Sequence, residues 1–422
     1  MSKNTIIIGA GLAGLAAGYT LTKAGHKVTI LEKESYPGGR VRSLPIDGHM
    51  VDFGGFIIYP WYKQYHRLIK ELGFKEQLRD IPLSTVYYEL EKNIYTPDDK
   101  ISFPIADMAK LYAKTLPKMI RYQMDIAQPA LHIFKDQSIS EYIRDTLETD
   151  HAGMYETFSD VVCQGYCYGP VTEYKMAVVA PVVLNTTFRG NLKDSVYFFG
   201  NNGLFAQALA DYITSHGGEI RYNEEVIELK SNQVKTNIQI YTPNSIICAA
   251  RINKTLLQDI APTIYVDCPY TTFYNTVIKC DTIPQTNGKD TWGAVFYLPD
   301  TTKPLQILSS VNIREMLSGE TNGLYINLNI IDRTNKKTLS NKELQKQILE
   351  DVKRIFPNVQ DAEVVESIHW SETMPIAEES FIESMREIQG KDNIWFAGDY
   401  LGSPSMETAL QTGIVAAKNI LK

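Results

Sequence analysis

Cysteine is scarce and odd in number: Cys163, Cys167, Cys248, Cys268 and Cys280 are the only five in 422 residues. Small secreted folds use cysteine densely and in pairs, so a disulfide framework does not organise this chain. Cys163 and Cys167 stand four apart, but no nearby His or Cys cluster completes a ligand set, and no metal is expected. Positive charge is also short. Lysine and arginine number 42 against 49 acids, giving a net charge of −7 and an isoelectric point near 5.6. That balance argues against a broad nucleic-acid surface, and no nucleic-acid partner is expected. Long apolar runs are missing too. The most apolar stretch, Met176 to Leu184, is interrupted by Pro181 and falls far below the ~20 residues of a membrane span. The N-terminus has no basic segment leading into an apolar core, so it does not read as a secretory leader. Neither a Ser–His–Asp spacing nor a glycine–lysine phosphate loop offers a competing chemistry. These gaps together point to a cytosolic, reducing compartment.

What is present is ordinary in bulk and specific in places. Hydrophobic residues make up 44% and charged residues 22%, the balance of a globular protein. The length exceeds what one core usually fills, so two domains are expected. Tyrosine outnumbers tryptophan 25 to 4, which suits either an amphipathic pocket wall or plain core and surface tyrosines.

The chain is organised around Thr5 to Lys33. The β-branched run Ile6-Ile7-Ile8 fits a buried parallel strand, and Gly9-Ala10-Gly11-Leu12-Ala13-Gly14 follows at Gly-x-Gly-x-x-Gly spacing. A helix opens on Leu12, and a second strand, Val28 to Leu31, ends in Glu32 and Lys33. Gly9 permits the tight turn, Gly11 lets a pyrophosphate approach the backbone, and Gly14 lets helix and strand pack closely. The helix N-terminus, with its free N–H groups, favours an anion. Glu32 lies where a carboxylate can accept from ribose hydroxyls, and it would repel a 2′-phosphate. The motif leaves NAD and FAD both open.

Next come Gly38-Gly39-Arg40 and Asp52-Phe53-Gly54-Gly55-Phe56. A Gly-Gly pair before arginine suits a loop that nears a phosphate and then donates to it. Residues 58 to 195 lose the strand–helix alternation. Tyr59, Trp61, Tyr62 and Tyr65 form an aromatic group, and a helix from Asp107 to Met124 carries Pro117 as an expected kink. Lys110, Lys114, Lys118 and Arg121 share one face of it, as a solvated face or as a contact to an anionic membrane surface. Ser138 and Glu141 have capping-box spacing. The alternation returns after Gly200 with a helix to about His216, a strand at Glu219 to Tyr222, and another through Val226 to Leu229. Further strands are expected at Phe273 to Lys279, Trp292 to Leu298 and Ser367 to Trp370, and a helix at Asn341 to Ile355. The chain closes with a strand ending in Gly398-Asp399 and a helix that opens near Ser405-Met406-Glu407-Thr408.

Gly9 to Gly14, Glu32, Gly38-Gly39-Arg40 and Gly54-Gly55 resemble the N-terminal signature of the flavin-containing amine oxidase superfamily. That group includes amine oxidases, protoporphyrinogen oxidases and carotenoid-type desaturases. The resemblance implies an α/β protein whose Rossmann-like FAD-binding domain is split into three segments, 1–80, 196–265 and 390–422. An α+β substrate domain with a helical part would then comprise 81–195 and 266–389. It implies FAD contacts from Gly9, Gly11, Leu12, Ala13, Gly14, Glu32 and Lys33, and a pyrophosphate loop at Gly39 and Arg40. Gly54, Gly55 and Phe56 would lie near the flavin ring and Val226 at the adenine. Gly398 and Asp399 would sit at the ribityl–phosphate arm, and Ser405, Met406 and Thr408 under the pyrimidine edge. No cysteine lies between Asp399 and Gly413, so non-covalent FAD is expected.

The implied reaction removes a hydride equivalent from an organic small-molecule substrate, with re-oxidation by oxygen or another acceptor. No catalytic residue is assigned. Lys279 lies on a suitable strand without a fixed register, and His369 reads as structural. Pro404-Ser405-Met406-Glu407 is more similar to the desaturase and protoporphyrinogen oxidase branch, which favours an apolar substrate and leaves peripheral membrane contact open. A soluble oxidase of small amines and a flavin-binding isomerase or scaffold stand as alternatives.

Overall fold

The computed structural model describes residues 4–80, 136–147, 169–189, 195–198, 201–251, 268–286, 305–313, 324–333 and 340–422 in continuous runs. It also describes 85–89, 94–97, 104–121, 131–134, 288–290, 294–297 and a few isolated positions. The expectations at Met124, Cys167, Gly200 and Trp292 lie outside the described residues.

With strands and helices numbered along the chain, five strands form a parallel sheet: β1 (Asn4–Ile8), β2 (Lys27–Leu31), β9 (Glu219–Arg221), β13 (Ser245–Cys248) and β21 (Ile394–Phe396). Their spatial order is β21-β13-β1-β2-β9. The sheet therefore gathers strands from three separate stretches of chain. Ile6, Ile7 and Ile8 are buried because both faces are covered, the condition that lets a parallel strand be apolar throughout. On one face Ile7, Ile30 and Ile247 meet α1 (Leu12–Lys23), α2 (Lys63–Glu71), α6 (Asn202–Ser215) and α9 (Met406–Leu421). On the other, Ile6, Ile246 and Phe396 meet α4 (Ile139–Leu147), the first half of α5 (Met176–Arg189) and α8 (Glu379–Glu387).

A second sheet has seven strands in the order β20-β14-β19-β18-β17-β6-β7. They are β6 (Thr85–Glu89), β7 (Ile94–Pro97), β14 (Phe273–Cys280), β17 (Ala294–Tyr297), β18 (Leu305–Asn312), β19 (Leu324–Asp332) and β20 (Glu363–Trp370). Alternation along β14 and β19 gives it two working faces. Tyr274, Ile278, Ile326 and Leu328 pack on α7 (Asn341–Ile355). Val277, Val311 and Tyr325 point the other way, onto the hairpin of β3 (Val41–Ile46) and β4 (His49–Gly54). That hairpin is the bridge between the two sheets. The smaller pairings are β5 (Leu78–Asp80) with β8 (Val196–Phe198), the meander β10 (Val226–Lys230), β11 (Gln233–Thr236) and β12 (Ile240–Tyr241), and β15 (Gln285–Thr286) with β16 (Lys289–Asp290).

Two details depart from the sequence reading. The stretch after residue 80, where the sequence reading places only a helix before Ser138, contributes the hairpin β6–β7 to the second sheet. The helix expected to kink at Pro117 runs on through it as α3 (Ile105–Arg121), with Lys110 and Lys114 of its basic face exposed and Lys118 half-buried. Lys114 donates to the Asp145 carbonyl at 3.3 Å, and Lys118 lies over the rings of Phe134 and Tyr142. Leu111 packs against the core rather than away from it. The capping box at Ser138 forms as expected, with Glu141 and Ser138 each accepting the other's backbone N–H. No helix among the described residues is long and apolar enough to cross a membrane.

Candidate functional site

The C-terminal ends of β1, β2, β13 and β21 converge on one rim of the parallel sheet, where open α/β sheets form their ligand crevice. Gly9 leaves β1 with φ +97°, and α1 starts at Leu12 with Gly11 as its N-cap. No side chain caps this helix, so its first-turn N–H groups form an anion site. A side chain at Gly14 would put its Cβ 1.9 Å from the Gly9 carbonyl oxygen, so that glycine is required by packing. A Cβ at Gly11 would meet no protein atom within 4 Å. The space in front of Gly11, beside Leu12 and Ala13, is therefore free for a ligand.

Glu32 closes one side of this space. It is buried, with one carboxylate oxygen accepting the Ala10 N–H at 2.6 Å and the other the Glu34 N–H at 2.9 Å. Burial pushes its carboxyl above the usual range, against the pull of those two N–H groups. Each oxygen keeps a lone pair for a further donor. Lys33 beside it is exposed and pairs loosely with Glu34 at 4.0 Å. The turn before Val226 runs along this edge, because the Asn223 and Glu224 N–H groups donate to the carbonyls of Glu34 and Glu32. Val226 itself opens the meander sheet instead of extending the parallel one.

The loop at Gly38-Gly39-Arg40 lies across the glycine turn. The Gly38 N–H donates to the Ala10 carbonyl, and Gly38 bridges Gly11. Arg40 then reaches Asp399 at 2.7 Å and donates to the Thr373 carbonyl. Burial pulls the guanidinium's pKa down, but Asp399 more than restores it and leaves it above its ordinary value. The side chain remains 38% exposed, so its fork is open to a second anion. Asp399 is fixed through the backbone, since Gly398 exchanges hydrogen bonds with the Thr412 hydroxyl in α9.

The N-terminus of α9 forms the far wall. Ser405 caps it by accepting the Thr408 N–H at 3.0 Å and bonds the Thr408 hydroxyl at 2.8 Å. That cap leaves the N–H groups of Met406 and Glu407 to other acceptors. Gly413, two turns on, lies so close to α1 that a Cβ there would fall 2.1 Å from the Ala13 carbonyl oxygen. The start of α1 is thereby held against α9 two turns in from that helix's N-terminus. Gly55 faces this wall, where a Cβ would come 3.0 Å from the Met406 sulfur, whereas a Cβ at Gly54 would meet the Arg40 carbonyl oxygen and Phe56 packs beside the β3–β4 hairpin.

Two carboxylates behind the wall do structural work that motif reading missed. Glu407 is fully buried and accepts the N–H groups of Gln64 and Tyr65, capping α2, whose Tyr62 N-cap has no capping side chain. Asp52 does the same for α6 by accepting the Asn202 N–H at 2.9 Å. Burial pushes each of them up to about 7. Only their position in space, against helix N-termini distant in sequence, gives them away. The aromatic group is core: Tyr59 stacks on Trp61, and Tyr65 packs on Phe205. Lys279 pairs with Asp47 at 2.7 Å at the β3–β4 turn, away from the rim. His369 stacks on Tyr274 and meets Asp332 at 3.1 Å, the structural role expected.

The family profile described as flavin containing amine oxidoreductase matches residues 12–421. A phytoene desaturase (neurosporene-forming) of Rhodobacter capsulatus is 26% identical over 265 residues, 54% of this chain and 48% of that protein. A phytoene desaturase of Fusarium fujikuroi is 40% identical over 74 residues, 17% of this chain and 13% of that one. The chain thus spans about half the length of the first relative and much less of the second. Among solved structures, the CLA-producing fatty acid isomerase from P. acnes superposes with a TM-score of 0.77 at 15% identity, covering 100% of this chain and 99% of that one.

Proposed function

The chain belongs to the flavin-containing amine oxidoreductase family, and from that premise we propose that it is an FAD-dependent oxidoreductase acting on a small organic molecule. One observation carries the reading: open space lies in front of Gly11 at an uncapped helix N-terminus, between Glu32 on one side and the Arg40–Asp399 pair on the other. These residues suit a long dianionic ligand with a ribose at one end. In this reading Gly9, Gly11, Leu12, Ala13 and Gly14 offer backbone to the pyrophosphate, and Gly39 and Arg40 close over it. Glu32 and Lys33 flank the adenosine ribose, with Val226 near the adenine. Gly398 and Asp399 take the ribityl arm, while Gly54, Gly55, Phe56, Ser405, Met406 and Thr408 surround the ring. Segments 1–80, 196–265 and 390–422 then make up the flavin domain, and 81–195 with 266–389 the substrate domain.

Bound flavin would supply a two-electron acceptor for a hydride equivalent from the substrate. The chain's own part is electrostatic and positional. The α9 N-terminus favours negative charge at the ring edge. The absence of cysteine between Asp399 and Gly413 supports non-covalent attachment. Cys248, on the same rim, is pushed up to about 12 by burial and stays a thiol.

For the substrate, a neutral apolar molecule is favoured over an amine. The aromatic group that could hold a cation is packed into the core. The polar side chains that β14 and β19 turn toward the hairpin include neutral amides, Asn275, Asn327 and Asn329. The test is direct. Purified protein should be yellow, and acid precipitation should release the flavin into the supernatant. Anaerobic bleaching should follow addition of a polyene or porphyrinogen and not of an amine. Bleaching by amines alone would reverse the substrate assignment. Conversion of a compound with no acceptor consumed would move the reading to an isomerase. Colourless protein that takes up no FAD would refute the cofactor reading.

A further inference from the structure

The face of the second sheet that meets the β3–β4 hairpin carries apolar side chains, the Lys279–Asp47 pair at the hairpin turn, and one buried line of polar side chains. Asn275 on β14 donates both of its amide hydrogens, to the side-chain carbonyls of Asn327 at 2.7 Å and Asn329 at 2.8 Å on β19. Asn329 donates onward to the Ser309 hydroxyl on β18 at 2.9 Å. At the other end Asn327 donates to the backbone carbonyl of Asp52 at 3.1 Å, and back to the Asn275 carbonyl at 3.3 Å. Asn275 and Asn327 are 1% and 2% exposed. Register accounts for the line: Asn275 pairs with Asn329, Asn329 with Ser309, and Asn327 is the diagonal neighbour. Sheet stability does not need buried amides here, since apolar residues fill the same face at Val277 and Val311.

The Asp52–Gly55 segment is held from its other side as well. Asn202, fully buried at the start of α6, donates to the Gly55 carbonyl at 3.2 Å, while its own carbonyl accepts from the Tyr65 hydroxyl at 2.7 Å. The Asn202 N–H fixes the Asp52 carboxylate, which also accepts from the Ser43 hydroxyl. One short stretch of backbone is thus gripped by an amide from each sheet's side of the molecule. Gly55, at the end of this stretch, lies against the Met406 side chain.

We propose that Asn327, set by the Asn275 hub, is a positioning residue that couples the placement of the substrate sheet to the Gly54–Gly55 backbone at the ring end of the site. The coupling to a flavin rests on the reading above, whereas the coupling of the sheet to the 52–57 backbone does not. Asn327 acts through the Asp52 carbonyl and needs no contact with substrate or cofactor. A buried amide is suited to this because its partner is costly to leave unmatched, so the two parts move together.

Asn327→Ala and Asn327→Asp are the variants, the second keeping shape and acceptor while losing the donated hydrogen. Leu344→Ala, on α7 against the opposite face of the same sheet, is the control for plain loss of stability. In the flavin-free protein, hydrogen exchange of the Phe53–Ile57 amides should speed up by about two- to tenfold in both Asn327 variants. It should stay at the wild-type rate in Leu344→Ala. In FAD-loaded protein, the visible circular dichroism of the flavin should shift in the Asn327 variants with retention nearly unchanged. Asn327 variants that melt earlier while exchange and flavin spectrum match wild type would overturn the proposal. Faster exchange with no flavin uptake by any form, wild type included, would leave the coupling standing and remove the flavin reading instead.

Discussion

Gly11 and Gly14 sit three residues apart in one motif, and the structure separates what each is for. At Gly14 a Cβ would fall 1.9 Å from the Gly9 carbonyl oxygen, a backbone atom that cannot swing aside. At Gly11 a Cβ would meet no protein atom within 4 Å, and the backbone there is extended at φ −69° and ψ 176°, open to any residue. Gly14→Ala should therefore destabilise the protein whether or not a ligand is present, by about 1–3 kcal/mol or more, the usual cost of overpacking. Gly11→Ala should leave the flavin-free protein as stable as wild type, or more so by about 0.4–1 kcal/mol through a stiffer unfolded chain. Its cost should appear only with ligand. A methyl group in the space before α1 keeps a pyrophosphate from the first-turn N–H groups, and a hydrogen bond to a charged group contributes about 1.5–3 kcal/mol. That converts to roughly a ten- to hundredfold loss of FAD affinity. Thermal melts of the flavin-free variants and fluorescence titration with FAD read the two effects separately. Wild-type affinity in Gly11→Ala would show that the space is not where the pyrophosphate lies. An unstable flavin-free Gly11→Ala would show that the glycine is needed for the fold alone.

Other outcomes follow from the same geometry. Glu32→Gln should weaken FAD binding by roughly ten- to a hundredfold and also lower the flavin-free melting temperature, because one amide oxygen cannot accept both the Ala10 and the Glu34 N–H; a lowered melting temperature with unchanged affinity would make Glu32 a strut for those N–H groups only. Asp52 and Glu407 have folded pKa values of about 7, above their unfolded values of 3.8 and 4.5. The folded protein thus holds more protons than the unfolded chain between those limits, so stability should fall as pH rises from about 4 to 7 and level off beyond. Glu407→Gln, which keeps an acceptor for one of the Gln64 and Tyr65 N–H groups and cannot titrate, should lower stability overall but flatten part of that fall in melts across the range. Because Lys118 lies over Phe134 and Tyr142 and Leu111 packs on the core, wild type should not sediment with anionic vesicles at low salt. Binding that disappears when Lys110, Lys114 and Lys118 are changed to Gln would restore a membrane role for α3.

The parallel sheet was legible because its signals are local. The isoleucine run, the glycine spacing and the strand–acid ending each sit within 30 residues, and β1, α1 and β2 formed where expected. The last helix was legible for the same reason, with Ser405 as its cap and Met406 as its first residue. The hairpin β6–β7 was not, because its strands take their meaning from β17, some 200 residues on. The place of Lys118 over Phe134 and Tyr142 was hidden because a lysine over aromatic rings and a lysine in water have the same spacing along a helix. Arg40 could be read as an anion ligand from its Gly-Gly context, but its grip on Asp399 and the Thr373 carbonyl could not. Asn202, Asn275 and Asn327 left no sequence signal, since a lone asparagine in a strand or at a cap reads as ordinary.

The order of strands in the parallel sheet also bears on how the protein can be made. β13 waits for its outer neighbour β21 until residues 249–393 have been synthesised. At ~5–20 residues per second this is a delay of roughly 7–30 s. Through that interval β13 presents an unpaired edge, and α1 lacks the helix that Gly413 brings against Ala13. Both are surfaces that nascent chains use to stick to one another. In the proposed reading the growing polypeptide cannot shelter them by taking up FAD early, because Asp399 and the Met406 helix start are made after β21. A chain cut before residue 394 would be left with that edge open.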